Sequence, residues 1–169
     1  MNILLVDDSP DARLLLHKIL REAGYRDTIS ASTAYDVFKK LDLEHGGAGA
    51  SEIDLIVMDV RMPEIDGIEA CRRIKEVEAL RDIPIIMMTA RSQPEVLRAA
   101  FEAGAMDYIK KPFEEVELLA RIKAALKLKQ EIDARKNWEQ ELSRTIQNLD
   151  AALQEMGVLQ QLIPVCPVC

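Results

Sequence analysis

Cysteine and long hydrophobic runs are scarce in this sequence of 169 residues, and positive charge is outnumbered by negative charge. Three cysteines do not make a disulfide framework in a cytosolic chain, and Cys71, alone in a helical pattern, is predicted to be a packing residue. No stretch approaches the roughly 18 apolar residues that predict a membrane span. No basic flank with an apolar run opens the chain, so we expect no signal peptide. Together these absences predict a cytoplasmic protein that makes no contact with a membrane.

The charge balance argues against nucleic acid as a direct partner. The chain has 22 Lys and Arg against 29 Asp and Glu, which gives a net charge of −7. Nonspecific nucleic-acid binding depends on basic patches. The acidic excess lies almost entirely in residues 1–126, and the remainder is close to balance and is not a basic arm. We therefore expect no direct nucleic-acid binding.

The sequence is rich in short apolar runs that each lead into charged or polar residues. The runs at 3–6, 55–58, 85–88 and 108–109 are followed by Asp7 and Asp8, by Asp59, by Thr89, and by Lys110 and Lys111. Short apolar runs separated by helical patterns predict buried parallel strands. Groups at the carboxyl ends of such strands converge on one edge of the sheet. Three carboxylates, a hydroxyl and an ammonium at one edge predict a divalent-metal and phosphoryl-transfer site.

Strand and helix patterns alternate five times in the first part of the chain. Predicted strands cover 2–6, 28–31 and 107–109, with two more ending at Asp59 and Thr89; predicted helices cover 10–23 and 95–103, with others beginning at 33, near 68 and at 114. The glycine-rich segment 45–51 is predicted to be a loop and not a phosphate cradle, because no Gly-Lys-Ser/Thr follows it. The pattern predicts an α/β fold, a flavodoxin-like doubly wound sheet of five parallel strands.

Five motifs in this order resemble the receiver domain of bacterial response regulators. They are Asp7-Asp8, Asp59, the turn with Met62-Pro63 and Asp66-Gly67, Thr89-Ala90, and Lys111-Pro112-Phe113. The resemblance covers residues 1 to about 126, and the five motifs together are far more specific than any one of them. It implies the receiver fold and a role in two-component phosphorelay signalling, with a histidine kinase or phosphotransfer protein as phosphodonor.

The resemblance assigns the acidic residues to phosphorylation and metal binding. It implies that Asp59 is the phosphoacceptor, and that Asp8, Asp59 and the backbone carbonyl of Arg61 bind Mg²⁺ directly, with Asp7 acting through water. The chemistry agrees, because a carboxylate can attack phosphorus to give an acyl phosphate. Three neighbouring carboxylates repel one another, and a hard divalent ion with oxygen ligands relieves that repulsion.

The resemblance also assigns the residues that hold and sense the phosphoryl group. Lys111 would pair with the phosphoryl oxygens, Thr89 would donate a hydrogen bond to them, and Tyr108 would turn inward as the switch aromatic. The switched face would comprise helix four, strand five and helix five. The Lys111–Pro112 peptide is expected to be cis. Arg61 and Arg91 are expected to flank the route of the hydrolytic water.

Two other functions compete with this interpretation. The first is a metal-dependent phosphohydrolase of the haloacid dehalogenase type, which needs Asp-x-Asp after the first strand, whereas Asp7 and Asp8 are adjacent here. The second is a phosphorylation-independent dimeric scaffold, which would not need all five motifs. The resemblance implies a protein that is not a conventional enzyme, although receivers carry intrinsic autophosphorylation and autodephosphorylation chemistry.

The first helix carries a candidate docking surface. Its predicted core face comprises Ala12, Leu15, Leu16, Ile19, Leu20 and Ala23, at helical spacing. Leu14 points roughly the opposite way, with His17 near it. In receivers this helix lies beside the active site and is where partner kinases dock, so Leu14 is either a docking contact or an ordinary exposed leucine. His17 is predicted to be solvated.

Beyond the receiver the helical pattern continues, with no proline from 114 to 163 and Gly157 as the only glycine. A seam spaced alternately by four and three contains Leu128, Ile132, Arg135, Glu139, Leu142, Ile146, Leu149, Leu153, Met156, Gln160 and Ile163. Five successive positions, from Leu142 to Met156, are apolar, while Arg135 and Glu139 interrupt the seam before them. The pattern favours a parallel two-stranded coiled coil, and hence a homodimer, over a helix folded back on its own receiver.

The last six residues end the helix and contain Cys166 and Cys169 as Cys-x-x-Cys. Two thiolates are half of a tetrahedral zinc site, and no other Cys or suitable His is near to complete it. We expect a disordered terminus, or a natural chain that continues and supplies the missing ligands. The predicted organisation is a receiver domain at 1–126, a coiled-coil signalling helix at 127–163 and this tail at 164–169.

Overall fold

A computed structural model describes residues 1–47, 53–90 and 93–161, with side chains described as far as residue 154. Most of the predicted glycine-rich loop, Arg91, Ile163 and the Cys-x-x-Cys segment lie outside the described residues, as do the side chains of Met156 and Gln160.

Five strands and five α-helices alternate through the described residues, as the sequence pattern predicts. They are β1 (Ile3–Val6), α1 (Pro10–Glu22), β2 (Thr28–Ala31), α2 (Ala34–Leu41), β3 (Leu55–Asp59), α3 (Gly67–Glu76), β4 (Ile85–Thr89), α4 (Pro94–Glu102), β5 (Asp107–Lys110) and α5 (Glu115–Gln161), with short 3₁₀ turns at Leu43–His45 and Glu78–Leu80. The strands form one parallel sheet in the order β2-β1-β3-β4-β5. The predicted flavodoxin-like, doubly wound fold is confirmed.

The strand register brings the carboxyl ends of the central strands to one edge. Val6 of β1 pairs with Met58 of β3, and Asp59 pairs with Met88 of β4. Thr89, the last residue of β4, pairs with Lys110 of β5. The residues that follow β1 and β5 therefore lie at the same edge as the ends of β3 and β4.

Side chains alternate across the sheet into two separate cores. One face of the central strands carries Leu4, Ile56 and Met87 and packs against α2, α3 and α4. The other face carries Leu5 and Val57 and packs against α1 and the first part of α5. Because helices cover both faces of the sheet, every residue of a central strand is buried and the strand is a continuous apolar run. The strands could therefore be predicted from the sequence.

The helix starts follow ordinary capping chemistry. The Ser9 hydroxyl accepts a hydrogen bond from the Ala12 N–H at 3.3 Å, with Pro10 in the first turn of α1. Thr33 caps α2 and Asp66 caps α3 in the same way. These side chains satisfy N–H groups that have no partner within the helix.

The predicted core face of α1 is wider than the observed one. Leu16, Ile19 and Leu20 are buried, but Leu15 is 51% exposed and Ala23 is exposed. Leu15 lies about 100° around the helix from Leu16, at the border of the buried stripe. Ala23 follows the last helical residue, where α1 has already ended.

The prediction for Leu14 is confirmed as far as exposure goes, whereas that for His17 is wrong. Leu14 is 69% exposed. His17 is half-buried, with Nδ1 at 2.6 Å from the Thr28 hydroxyl and Nε2 at 2.5 Å from the Ser30 hydroxyl of β2. The neighbouring strand supplies two polar partners that spacing along α1 could not reveal.

Helix α5 runs without a break over 47 residues. Contacts divide the chain into two units, residues 1–130 and 131–169. In the first unit, Leu118, Ile122, Ala125 and Leu126 are buried. In the second, Leu142, Ile146, Leu149 and Leu153 are each more than half exposed. Within the described ranges, no helix combines the length and the hydropathy that crossing a membrane requires.

Candidate functional site

Three carboxylates meet at the carboxyl edge of the sheet. Asp7 and Asp8 follow β1, and Asp59 ends β3. Each offers a carboxylate oxygen, and these oxygens all lie within 4.8 Å of one another. Asp7 and Asp59 are buried, while Asp8 is exposed. Each of the three acidic residues predicted for the site is present in the cluster.

Lys111 bridges the two buried carboxylates. Its Nζ lies 2.6 Å from Oδ2 of Asp7 and 2.9 Å from Oδ1 of Asp59. The backbone N–H of Lys111 donates to the Thr89 carbonyl oxygen at 2.7 Å, which fixes the start of the side chain beside β4. The Lys111–Pro112 peptide is cis, as predicted.

Asp7 is held on both of its carboxylate oxygens. The Ser9 N–H donates to Oδ1 at 2.9 Å, and Lys111 donates to Oδ2. Both carboxylate oxygens of Asp7 therefore have a hydrogen-bond donor within the protein. The exposed Asp8 carboxylate opens to solvent at the same cluster.

Arg13 is a residue of this region that the sequence analysis missed. Its guanidinium Nη1 donates to the Asp7 carbonyl oxygen at 2.5 Å and reaches the Asp8 carbonyl oxygen at 3.3 Å. The backbone of the acidic pair is therefore held by a cation from the first half of α1. The only signal in the sequence is an arginine five residues after Asp8, which is not distinctive.

Burial and charge both act on the ionisation of Asp59 and Lys111. Burial, opposed by Lys111 and assisted by repulsion from Asp7 and Asp8, raises the pKa of Asp59 above its usual range. Burial acts to lower the pKa of Lys111, but hydrogen bonds and attraction from Asp7 and Asp59 outweigh it, and the pKa is raised. One ammonium among three carboxylates leaves an excess of negative charge. An added cation would relieve the repulsion that disfavours ionised Asp59.

The turn after β3 packs directly against the backbone of Asp59. A Cβ on Gly67 would lie 2.1 Å from the Asp59 carbonyl oxygen, so only glycine fits there. The Gly67 N–H donates to the Val60 carbonyl oxygen at 2.8 Å, and Glu64 has φ of 67°. Arg61 lies in the same turn, two residues after Asp59, with its side chain exposed.

Thr89 and Tyr108 occupy neighbouring strands beside this cluster. Thr89 ends β4 and is buried. Tyr108 lies one position along β5 from Asp107, is half-buried, and packs edge-to-face on Phe101 of α4 at 6.0 Å between ring centroids. The aromatic pair joins α4 to β5 on one side of the sheet.

The carboxylate oxygens of the cluster are the kind of ligand that Mg²⁺ binds. Mg²⁺ takes oxygen ligands, usually one or two carboxylates, and retains waters that can face phosphoryl oxygens. Asp7, Asp8 and Asp59 offer three such carboxylates.

Comparisons with known proteins agree with this geometry. The model of the response regulator receiver domain matches residues 3–123. The chain belongs to the response regulator receiver domain family. Receiver domains use phosphorylation on an aspartate as their general mechanism, generally use Mg²⁺ at an acidic pocket, and interact with histidine kinases or phosphotransfer proteins. Membership sets aside the phosphohydrolase of the haloacid dehalogenase type.

The matches with individual relatives cover the receiver domain of this chain and little more. The transcriptional regulatory protein YvrH of Bacillus subtilis is 39% identical over 126 residues, which is 75% of this chain and 49% of the relative. The cyclic di-GMP phosphodiesterase response regulator RpfG of Xanthomonas campestris is 35% identical over 134 residues, 79% of this chain and 34% of that protein. The chain thus spans at most about half the length of these curated relatives.

A solved receiver-domain structure also matches this chain. The signal receiver domain of a signal transduction histidine kinase from Syntrophus aciditrophicus is 37% identical, with a TM-score of 0.65. The match covers 75% of this chain and 89% of that receiver.

Proposed function

We propose that this receiver accepts a phosphoryl group on Asp59, in a Mg²⁺-dependent reaction, from a histidine kinase or phosphotransfer protein. The observation that carries the proposal is the bridge of Lys111 between Asp7 and Asp59 inside a cluster of three carboxylates. A buried carboxylate with a lysine partner at the end of a central strand is a fixed nucleophile with a fixed counter-charge.

The residues divide the chemistry among them. A carboxylate oxygen of Asp59 attacks phosphorus, and the bond from phosphorus to the donor breaks with its electron pair leaving on the donor. Lys111 is placed to pair with the phosphoryl oxygens, and the Thr89 hydroxyl is proposed to donate to them. Mg²⁺, held by Asp8, Asp59 and the Arg61 carbonyl with Asp7 acting through water, would neutralise charge on the transferring group. The product is a modified carboxylate of the protein itself, so the chain is not a conventional enzyme.

The proposed readout runs through α4, β5 and α5. A phosphoryl group adds about −1.5 to −2 charge and three acceptor oxygens. Movement of Thr89 toward it would make space beside Tyr108, whose packing on Phe101 would then change. Because α5 is one continuous helix, we propose that the switched face of the receiver at 1–126 controls the coiled-coil helix at 127–163, or an output module beyond it.

The proposed partners follow from the two exposed apolar surfaces. Leu14, exposed on α1, is a proposed docking contact for the phosphodonor. The exposed seam at Leu142, Ile146, Leu149 and Leu153 is proposed to pair two chains as a homodimer. We further propose that the protein acts in the cytoplasm and that this chain makes no direct contact with nucleic acid.

Phosphoryl uptake from a small donor tests the assignment of Asp59. With Mg²⁺ and acetyl phosphate, the wild type should gain one phosphoryl group by intact mass, and Asp59→Asn should gain none. Asp11→Asn, a change of an exposed aspartate in the first turn of α1, is the matched control and should behave as wild type. Equal modification of wild type and Asp59→Asn would refute the assignment.

Titration with Mg²⁺ tests the metal site separately. Asp8→Ala should remove the binding isotherm seen by calorimetry with the wild type, because a direct ligand is lost. Asp11→Ala should retain it. Unchanged affinity in Asp8→Ala would rule out the role given to that carboxylate.

The exposed seam on α5 favours a second candidate, a dimeric scaffold that works without phosphorylation. In that case Asp59→Asn would keep both the dimeric mass of the wild type and its signalling activity in cells. Loss of activity in Asp59→Asn, at unchanged mass, would instead support the phosphorylation switch.

A further inference from the structure

The loop between β1 and α1 carries two backbone carbonyl oxygens that regular secondary structure does not satisfy. β1 ends at Val6 and α1 begins at Pro10, so the carbonyls of Asp7 and Asp8 belong neither to the strand ladder nor to the helix. Among the described residues, no backbone N–H donates to either oxygen. Nη1 of Arg13 lies 2.5 Å from the first and 3.3 Å from the second. A side chain of α1 therefore supplies the donor that secondary structure supplies elsewhere.

The two acidic residues differ in what fixes their carboxylates. Oδ1 of Asp7 accepts a hydrogen bond from the Ser9 N–H and Oδ2 accepts one from Lys111, so both oxygens are held. The carboxylate of Asp8 is exposed, and within the described ranges no hydrogen bond or ion pair holds it. The direction of the Asp8 side chain toward the cluster therefore depends on the backbone from which it starts.

Arg13 holds the backbone on both sides of Asp8. The Asp7 carbonyl belongs to the peptide plane before the Asp8 Cα, and the Asp8 carbonyl belongs to the plane after it. Because Nη1 of Arg13 donates to both carbonyl oxygens, it restrains both backbone dihedrals of Asp8. These dihedrals set where the Asp8 carboxylate lies relative to the carboxylates of Asp7 and Asp59.

The charge of Arg13 and its contacts act on a bound Mg²⁺ in opposite directions. A cation beside the cluster repels a second cation, so removal of the charge alone would tighten Mg²⁺ binding. The contacts hold Asp8 in one backbone conformation before the ion arrives, so binding does not have to order the loop. Removal of the contacts would weaken Mg²⁺ binding. The direction of the change in a variant thus identifies which effect dominates.

We propose that Arg13 is a positioning residue that strengthens Mg²⁺ binding by fixing the backbone on both sides of Asp8. The inference rests on the proposed function, in which Asp8 binds Mg²⁺ directly. Arg13 does not have to touch the ion, since groups that orient the ligands of a metal strengthen its binding from outside the coordination shell. Arginine suits this role because its guanidinium stays charged and its N–H donors have a fixed planar geometry.

Calorimetric titration of the full-length chain with Mg²⁺ tests the direction of the effect. Arg13→Met removes the donors and the charge but keeps an unbranched side chain of similar helix propensity. It should bind Mg²⁺ about tenfold more weakly than wild type, as is typical when a group that orients a metal ligand is lost. Binding as tight as that of wild type, or tighter, would overturn the proposal. Arg13→Gln gives the same test if Arg13→Met fails to fold.

A matched control removes the same charge from the other end of α1. Arg21 is exposed in the last turn of the helix, about 12 Å along the axis from Arg13 at ~1.5 Å per residue. Arg21→Met should bind Mg²⁺ as wild type or slightly more tightly, because only a distant positive charge is lost. Equal weakening in Arg21→Met and Arg13→Met would show that the contacts with the loop are not the cause and would overturn the proposal.

Carbonyl ¹³C resonances report the contact itself in the absence of Mg²⁺. Loss of a donor shifts the resonance of a hydrogen-bonded carbonyl. The resonances of the Asp7 and Asp8 carbonyls should therefore move in Arg13→Met and stay in place in Arg21→Met. Unmoved resonances in Arg13→Met would show that Arg13 does not hold these carbonyls in solution and would overturn the proposal.

The dependence of phosphoryl uptake on Mg²⁺ separates positioning from a direct role in transfer. With acetyl phosphate as donor, the Mg²⁺ concentration for the half-maximal rate should rise about tenfold in Arg13→Met, as the affinity falls. The rate at saturating Mg²⁺ should match that of wild type, because the bound ion then holds Asp8 in place. A lower saturating rate with an unchanged half-maximal concentration would place Arg13 in the transfer step and overturn the positioning role.

Asp8→Ala keeps this result apart from that of the proposed function. If wild type binds Mg²⁺ and Asp8→Ala does not, the metal role of Asp8 stands. Wild-type affinity in Arg13→Met would then overturn the present inference alone. Unchanged affinity in Asp8→Ala would overturn the proposed role of Asp8 and, with it, the positioning role of Arg13.

Discussion

Two stretches of one helix carry similar apolar residues in different surroundings. In the first part of α5, Leu118 and Ile122 are fully buried against the sheet. Further along, Leu142 and Ile146 are 62% and 51% exposed. The repeat of apolar residues is helical in both stretches, so spacing alone does not tell whether a stripe has found its partner. The first stretch is covered by β-strands of its own chain, and we propose that the second is covered by another chain.

The largest expected effect is the loss of the dimer when the second stretch is charged. Leu149→Asp with Leu153→Asp should give a monomer by light scattering, because unpaired carboxylates in an apolar seam are strongly disfavoured. Phosphoryl uptake at Asp59 should be unchanged. Gln147→Asp with Gln154→Asp adds the same charge at positions outside the seam and should leave the mass at that of a dimer. A double Leu variant that stays dimeric would place the interface elsewhere.

Replacing one isoleucine in each stretch of α5 by alanine shows how much each stretch contributes to the free energy of unfolding. Ile122→Ala should destabilise the receiver by about 2–5 kcal/mol, because it leaves a cavity in a packed core. Ile146→Ala should change the unfolding of the receiver by no more than about 0.5 kcal/mol. Urea unfolding followed by circular dichroism, at concentrations too low for dimers, gives both values. Similar losses for the two variants would contradict the distinction between the stretches.

Within the receiver, two glycine substitutions test whether backbone strain affects phosphoryl uptake only when it lies beside Asp59. Gly67→Ala should cost about 1–3 kcal/mol and also slow phosphoryl uptake, because its Cβ would meet the Asp59 carbonyl oxygen at 2.1 Å. Gly24→Ala also loses stability, since its φ is +93°, but its Cβ would meet nothing within 4 Å. Uptake in Gly24→Ala should therefore match that of the wild type. Normal uptake in Gly67→Ala would show that the turn does not position Asp59.

The smallest expected effect is a pH-dependent gain in stability from Asp59→Asn. Because burial raises the pKa of Asp59, the folded protein holds this proton more tightly than the unfolded chain does. The stability that this group contributes is fully present below its ordinary pKa of 3.8 and is lost as the pH rises through the raised value. Without Mg²⁺, Asp59→Asn should therefore melt at a higher temperature than wild type at pH 7, and the difference should shrink toward pH 4. An equal difference at both pH values would point to a cause other than this ionisation.

Local patterns predicted the elements of the fold and the members of the acidic cluster. The buried strands of a parallel sheet are continuous apolar runs, so the run that ends at Asp59 was visible without the structure. The caps Ser9 and Thr33 follow rules that span three residues. Cys71, predicted to be a packing residue, is buried, and burial raises the pKa of its thiol to about 11.

The contacts that a residue makes with neighbouring elements could not be predicted from those local patterns. His17 is held by two hydroxyls of β2, Leu15 lies outside the stripe that the sheet covers, and Arg13 reaches back to the carbonyls of the acidic pair. The raised pKa of Asp59 likewise depends first on how deeply the assembled edge buries it, and then on Lys111. Sequence alone determined which residues reach the edge of the sheet, because strand periodicity and capping are local. Tertiary structure decided how those residues are buried and paired, because burial and charge depend on side chains brought together from distant parts of the chain.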